Sequence, residues 1–153
     1  MTRFIPLAPY ETEPAIEAIC ESYCQTLAME VIDPLILIPT FICDFLCIHP
    51  FNDGNGRMSR LLTLLLFCQN GYEVGKYISV EKKIKETRDA YYGVLERVDA
   101  GWHEEQNDPT PFIKYMLQVL LACHTEFEAF MCGRTLWNHS VSSNYGVFVQ
   151  MEQ

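Results

Sequence analysis

Apolar residues return every three or four positions along most of the chain, and strict alternation is almost missing, so the pattern is helical. After an extended, proline-punctuated opening (Pro6, Pro9), a Thr12 cap precedes Ile16, Ile19, Cys20, Tyr23 and Leu27, which share one helical face. Asp33-Pro34 offers a cap and a first-turn proline for a second helix, Leu35 to Ile48, which is apolar nearly all round, as a central buried helix is. Pro39 is expected to kink this helix or to mark its true start. Gly56 to Asn70 reads as a third, mostly buried helix, with Leu61, Leu62, Leu64, Leu65, Leu66 and Phe67 in its body and Gly71 as terminator. Ser79 caps a fourth, in which Ile84, Arg88, Tyr91, Leu95 and Val98 form one stripe and Arg88 contributes its aliphatic stem. A polar loop, Gly101 to Thr110, leads to Pro111 and a fifth helix bearing Phe112, Met116, Val119, Leu120, Cys123, Phe127 and Phe130, expected to end near Gly133. From Arg134 to Gln153 there is no clear period beyond a short Val147-Phe148-Val149 run.

Five helical segments without a repeat or linker predict an all-α domain over residues 1–133, followed by a tail of unassigned role over 134–153. A chain of 153 residues is long enough to bury an apolar core. Its 11 Lys and Arg against 20 Asp and Glu give a formal charge of −9 with no basic cluster, which argues against a nucleic-acid partner. An anionic ligand then needs a local site. The seven cysteines lack any CxxC pair; Cys20/Cys24 and Cys43/Cys47 each stand one helical turn apart, which suggests reduced core thiols and not a zinc site. Met1 to Pro9 lacks the signal-peptide pattern and no apolar run is long enough to cross a bilayer, so a cytoplasmic protein without a membrane partner is expected.

Between the two most apolar helices lies His-Pro-Phe-Asn-Asp-Gly-Asn-Gly-Arg-Met-Ser-Arg, His49 to Arg60. One reading makes it a turn: Gly54 and Gly56 permit positive φ, Asp53 or Asn55 caps the next helix, and the arginines are solvated. The other starts from the backbone. A Gly-Asn-Gly turn that opens a helix leaves several N–H groups directed at one place, where phosphate oxygens fit. Arg57 and Arg60, three apart, share a face of the first turn and add positive charge. Asp53, just before the turn, is placed to hold Mg²⁺ beside a polyphosphate. His49 opens the same segment and offers an imidazole that can take a proton from an attacking hydroxyl near neutral pH. Phe51 reads as a core anchor for the loop.

These twelve residues match the signature His-x-Phe-x-(Asp/Glu)-Gly-Asn-Gly-Arg-x-x-Arg at every fixed position, and the chain resembles the Fic (filamentation induced by cAMP) domain family, protein adenylyltransferase type. The resemblance extends over roughly Phe4 to Met131, taking in Asp33-Pro34, Tyr91-Tyr92 and Thr110-Pro111-Phe112. It implies a compact helical core in which His49 is the general base, Asp53 binds Mg²⁺ (or Mn²⁺), and Gly54, Asn55 and Gly56 hold the α- and β-phosphates of ATP. Arg57 and Arg60 would contact the phosphates further out. A Ser, Thr or Tyr hydroxyl of a target protein would then attack the α-phosphate and receive AMP. Tyr91 and Tyr92 correspond to tyrosines near the adenine in many members, although one of the two also serves the helix's apolar stripe. Some relatives have an asparagine seven residues after this pair; Asp99 stands here instead.

Gly56 favours AMP transfer over the phosphorylating branch, which carries Lys at that position. Two further alternatives are a non-catalytic nucleotide-binding module, against which the intact His49 and Asp53 argue, and a deAMPylase, for which no water-activating acid is apparent. Arg3-Phe4-Ile5 resembles the last strand of the hairpin flap with which members pair to the target backbone. Many members also carry an inhibitory helix, (Ser/Thr)-x-x-x-Glu-(Gly/Asn), whose glutamate pairs with the second motif arginine, here Arg60. The near match from Thr26 to Glu30 is followed by Val31 and lies at a helix end, so the chain is expected to lack a brake of its own. Such a helix would come from a segment outside this sequence or from a separate, antitoxin-like partner.

Overall fold

The Asp33 carboxylate accepts a hydrogen bond from the Leu35 N–H at 2.8 Å, and Pro34 occupies the first turn, where its missing N–H costs nothing. From there the helix runs over Pro34–Ile48, with Leu37, Ile38, Ile42, Cys43, Phe45, Leu46, Cys47 and Ile48 all buried. The computed structural model describes residues 6–104 and 106–148. In chain order its helices are α1 (Pro9–Met29), α2 (Pro34–Ile48), α3 (Asn55–Gln69), α4 (Val80–Glu86), α5 (Arg88–Asp99) and α6 (Thr110–Phe148), with short 3-10 turns at Glu73–Lys76 and Trp102–Glu104. No strand occurs among the described residues, so the chain is all-α as expected. Helix α2 is the centre: α1, α3, α5 and α6 all pack on it, because it alone is apolar on every side. No described helix is long and apolar enough to cross a membrane.

Several expectations change. Thr12 does not cap α1; the helix begins three residues earlier at Pro9, and the Thr12 hydroxyl donates to the Ala8 carbonyl at 3.1 Å from inside the first turn. Pro39 lies in the interior of α2, not at its start. Cys20 and Cys24 are exposed on the flank of α1, whose Tyr23 faces inward with Ile16, Ile19 and Leu27 against the core. Cys43, Cys47 and Cys123 are the buried thiols, and the Cys47 contact, together with burial, pushes the Cys43 thiol up.

The expected fourth helix is two helices. Thr87 leaves helical geometry (φ −113°, ψ 32°), with its hydroxyl bonded to the Lys83 carbonyl at 2.9 Å and paired with the Tyr115 hydroxyl at 2.8 Å. The chain turns there, so Arg88 does not join the Ile84 stripe; it is exposed, and its guanidinium stands 5.4 Å from the Tyr92 ring centre.

The third helix is not mostly buried either. Its inward stripe is Asn55, Ser59, Thr63 and Phe67, while Leu61 and Leu65 are 60% and 48% exposed. The two hydroxyls are accommodated by bonding their own helix: Ser59 to the Gly56 carbonyl at 3.0 Å and Thr63 to the Ser59 carbonyl at 2.7 Å. Helix α6 begins at Thr110 and passes through Gly133 to Phe148, since one glycine costs a helix only about 1 kcal/mol. The anticipated strand Arg3-Phe4-Ile5 lies outside the described residues, as does Val149.

Candidate active site

The α2–α3 connection is fixed at both ends by backbone geometry. His49 closes α2 in the left-handed region (φ 56°, ψ 59°), its N–H bonded to the Phe45 carbonyl at 3.1 Å. Gly54, at φ 92°, begins α3 as its N-cap without a side-chain cap. Neither Asp53 nor Asn55 therefore caps α3, and the first N–H groups of this fifteen-residue helix carry partial positive charge with no side-chain cap.

Asn55 ties the loop together. It is 2% exposed, accepts from the Phe51 N–H at 3.0 Å through Oδ1 and donates to the Phe51 carbonyl through Nδ2. Its amide is committed to the protein, so only its backbone is left to offer a bond elsewhere. Phe51 is 46% exposed and only leans on Phe45, ring centres 6.3 Å apart; the anchor is Asn55, not the phenyl ring. The His49 ring, partly buried, has Nδ1 3.3 Å from the Leu46 carbonyl. A carbonyl can only accept, so this contact is a hydrogen bond only in the tautomer that carries its proton on Nδ1.

The cations fall into two environments. Arg57 Nη2 lies 3.0 Å from Asp53 Oδ2 in an exposed pair one turn apart. Arg60 is largely buried, and its Nη2 contacts Glu81 Oε1 at 3.2 Å. Two clefts meet at this second pair. One, of about 480 Å³, lies along α4 and α5 and is lined by Arg60, Ile84, Lys85, Arg88, Tyr91 and Tyr92, among others. The other, of about 530 Å³, is bordered by Arg57, Arg60, Leu61, Leu64, Lys76 and Tyr77, among others. His49 and Asp53 line neither cleft.

Tyr91 and Tyr92 differ sharply in exposure. Tyr91 is buried, edge-on to Tyr92 and beside Tyr115 and Phe112, while Tyr92 is 54% exposed at the cleft. Burial pushes the Tyr91 phenol up, an effect that Ser59 and Arg60 partly offset. No group of three or more His, Cys, Asp or Glu is arranged for a metal among the described residues. A magnesium ion held against a polyphosphate needs only one or two carboxylates, and Asp53 has its Oδ1 left over from the Arg57 contact.

The sequence model of the Fic/DOC family matches residues 1–67, which end within α3 and include the whole His49–Arg60 segment. A crystal structure of a Fic family protein from Desulfovibrio desulfuricans G20 superposes with a TM-score of 0.63 at 32% identity, over 76% of this chain and 34% of that one. The chain carries a Fic domain. A Fic domain containing signaling protein from Bacteroides thetaiotaomicron VPI-5482 aligns with a TM-score of 0.64 at 25% identity, over 80% of this chain and 46% of that one. Among curated proteins, a probable protein adenylyltransferase of Aquifex aeolicus (strain VF5) is 29% identical over 116 residues, 74% of this chain and 35% of the relative. Protein adenylyltransferase fic-1 of Caenorhabditis elegans is 29% identical over 114 residues, 74% of this chain and 20% of the relative. The chain thus spans about a third or less of the curated relatives it matches.

Glu81 escaped the sequence reading. It lies 21 positions beyond Arg60 in a stretch that reads as a solvated charged face, and no local spacing links the two.

Proposed function

We propose that this Fic domain is a protein adenylyltransferase that moves AMP from ATP to a Ser, Thr or Tyr hydroxyl of a target protein. The observation that carries the reading is the α2–α3 loop, in which His49, its Nδ1 3.3 Å from the Leu46 carbonyl, precedes a helix start without a side-chain cap. The target oxygen attacks the α-phosphorus and its proton passes to His49 Nε2. An O–P bond forms, the bond to the bridging oxygen breaks, and pyrophosphate leaves. The N–H groups at Gly54, Asn55 and Gly56 receive the phosphate oxygens, which need the close approach that glycine permits. Arg57 and Arg60 take the outer phosphates. Tyr92, with Arg88 over its ring, offers a stacking face for the base.

Asp53 would hold Mg²⁺ or Mn²⁺, which when bound neutralises charge on the departing pyrophosphate. Adenylyltransferase relatives support ATP as the donor and a protein as the acceptor. Seven free thiols suit a reducing, cytoplasmic setting.

The test is incubation with Mg²⁺ and ATP labelled on either the α- or the γ-phosphate. The α-label alone should become protein-bound, and His49→Ala should abolish this while retaining ATP binding. Incorporation of γ-label, or full transfer by the His49→Ala chain, overturns the assignment.

A further inference from the structure

A guanidinium is a rigid fork, so fixing one corner fixes where the others point. Arg60 is held at Nη2 by the Glu81 carboxylate at 3.2 Å. At the opposite corner, Nη1 lies over the start of α3, 3.3 Å from where a Cβ on Gly56 would stand. At the third corner, Nε is buried and without a hydrogen-bond partner. Ser79 accepts from the Lys82 N–H at 3.1 Å and so sets Glu81 in the first turn of α4, where it reaches both clefts together with Arg60.

We infer that Glu81 is a positioning residue for Arg60, holding the Nη2 corner so that the Nη1 edge faces the polyphosphate path at Gly56. The inference rests on the nucleotidyl-transfer reading above. Glu81 itself is 68% exposed, and an exposed carboxylate adds little to fold stability. Its effect lies in removing rotational freedom from a long side chain whose Nε has no other bond to orient it. The carboxylate also repels an arriving polyphosphate, but the guanidinium stands between them and neutralises it. Orientation therefore outweighs repulsion.

The test measures MgATP and AMP affinity of the full chain by titration calorimetry. Glu81→Ala should weaken MgATP by about fivefold, the size of an exposed charged contact, and leave AMP unchanged because AMP lacks the outer phosphates. Glu81→Gln, which keeps an acceptor for Nη2, should restore most of the loss. With Arg60→Ala already present, Glu81→Ala should change nothing, and thermal melts should show each variant folded. Tighter MgATP binding by Glu81→Ala would make Glu81 a competitor of the phosphates and overturn the inference. Equal losses for ATP and AMP, no loss at all, or a loss that persists without Arg60 would overturn it too. Failure of the unmodified chain to bind MgATP would instead sink the transfer reading, and this inference with it.

Discussion

Asn55→Ala removes both hydrogen bonds that close the His49–Gly54 loop: the Phe51 N–H loses its acceptor and the Phe51 carbonyl its donor. A hydrogen bond of this kind contributes about 1 kcal/mol net, whereas an abandoned group that water cannot reach costs up to about 3. Both bonds are only partly buried, so the lower figure applies to each, giving about 2 kcal/mol in all. For a chain of 153 residues that is a fall in Tm of about 4 to 8 °C. Circular dichroism melts measure it. AMP transfer, assayed well below the new Tm, should fall at least tenfold, because a loop freed at Phe51 no longer delivers His49 to one place. Asn55→Asp preserves the acceptor but sets a second acceptor against the Phe51 carbonyl, so it should lose a comparable amount. If Asn55→Ala melts within 1 °C of the parent and transfers at the same rate, the Phe45–Phe51 contact holds the loop and the reasoning fails.

Asp44 accepts from the Trp102 indole N–H at 3.2 Å, and burial holds its carboxyl above the ordinary aspartate value. The folded form binds the proton more tightly than the unfolded one, so Asp44 lowers stability as pH rises through that window and beyond it. Asp44→Asn keeps an acceptor for Trp102; its Tm should exceed the parent's at neutral pH, and the gap should close below the ordinary value of 3.8. An equal gap at both pH values refutes the titration. Glu30 ends α1 at φ 53°, a conformation glycine adopts without strain, and the partner recorded for Arg60 is Glu81. Glu30→Gly should raise stability by about 0.5–1 kcal/mol in denaturant titrations and leave transfer unchanged. A marked rise in transfer would identify Glu30 as a brake.

The all-α class was legible because α2 has no polar face to confuse its reading, and Asp33-Pro34 states its start in two residues. The loop was legible for a related reason: a polar, glycine-containing segment stands out between two apolar helices. Misreadings arose where hydrophobicity was taken as burial. Leu61 and Leu65 outrank Ser59 and Thr63 on any apolar scale, yet the hydroxyls face inward because they can bond their own helix backbone. The break at Thr87 depends on Tyr115, 28 residues away, and the Arg60–Glu81 pair is likewise a tertiary event that no local period encodes. Periodicity reports the face a helix can bury; which face it does bury is decided by the neighbour.

The left-handed backbone at His49 sets function against robustness. An L-residue with a side chain gives up about 1 kcal/mol in that region, which glycine would recover. Selection for durability alone would therefore favour exchanging the imidazole for hydrogen, and a library screened only for heat resistance should enrich glycine at 49 as it does at 30. At 30 the exchange is harmless. At 49, on the proposed mechanism, it would yield a sturdier protein without its base, so heat resistance and transfer activity would pull this one position in opposite directions.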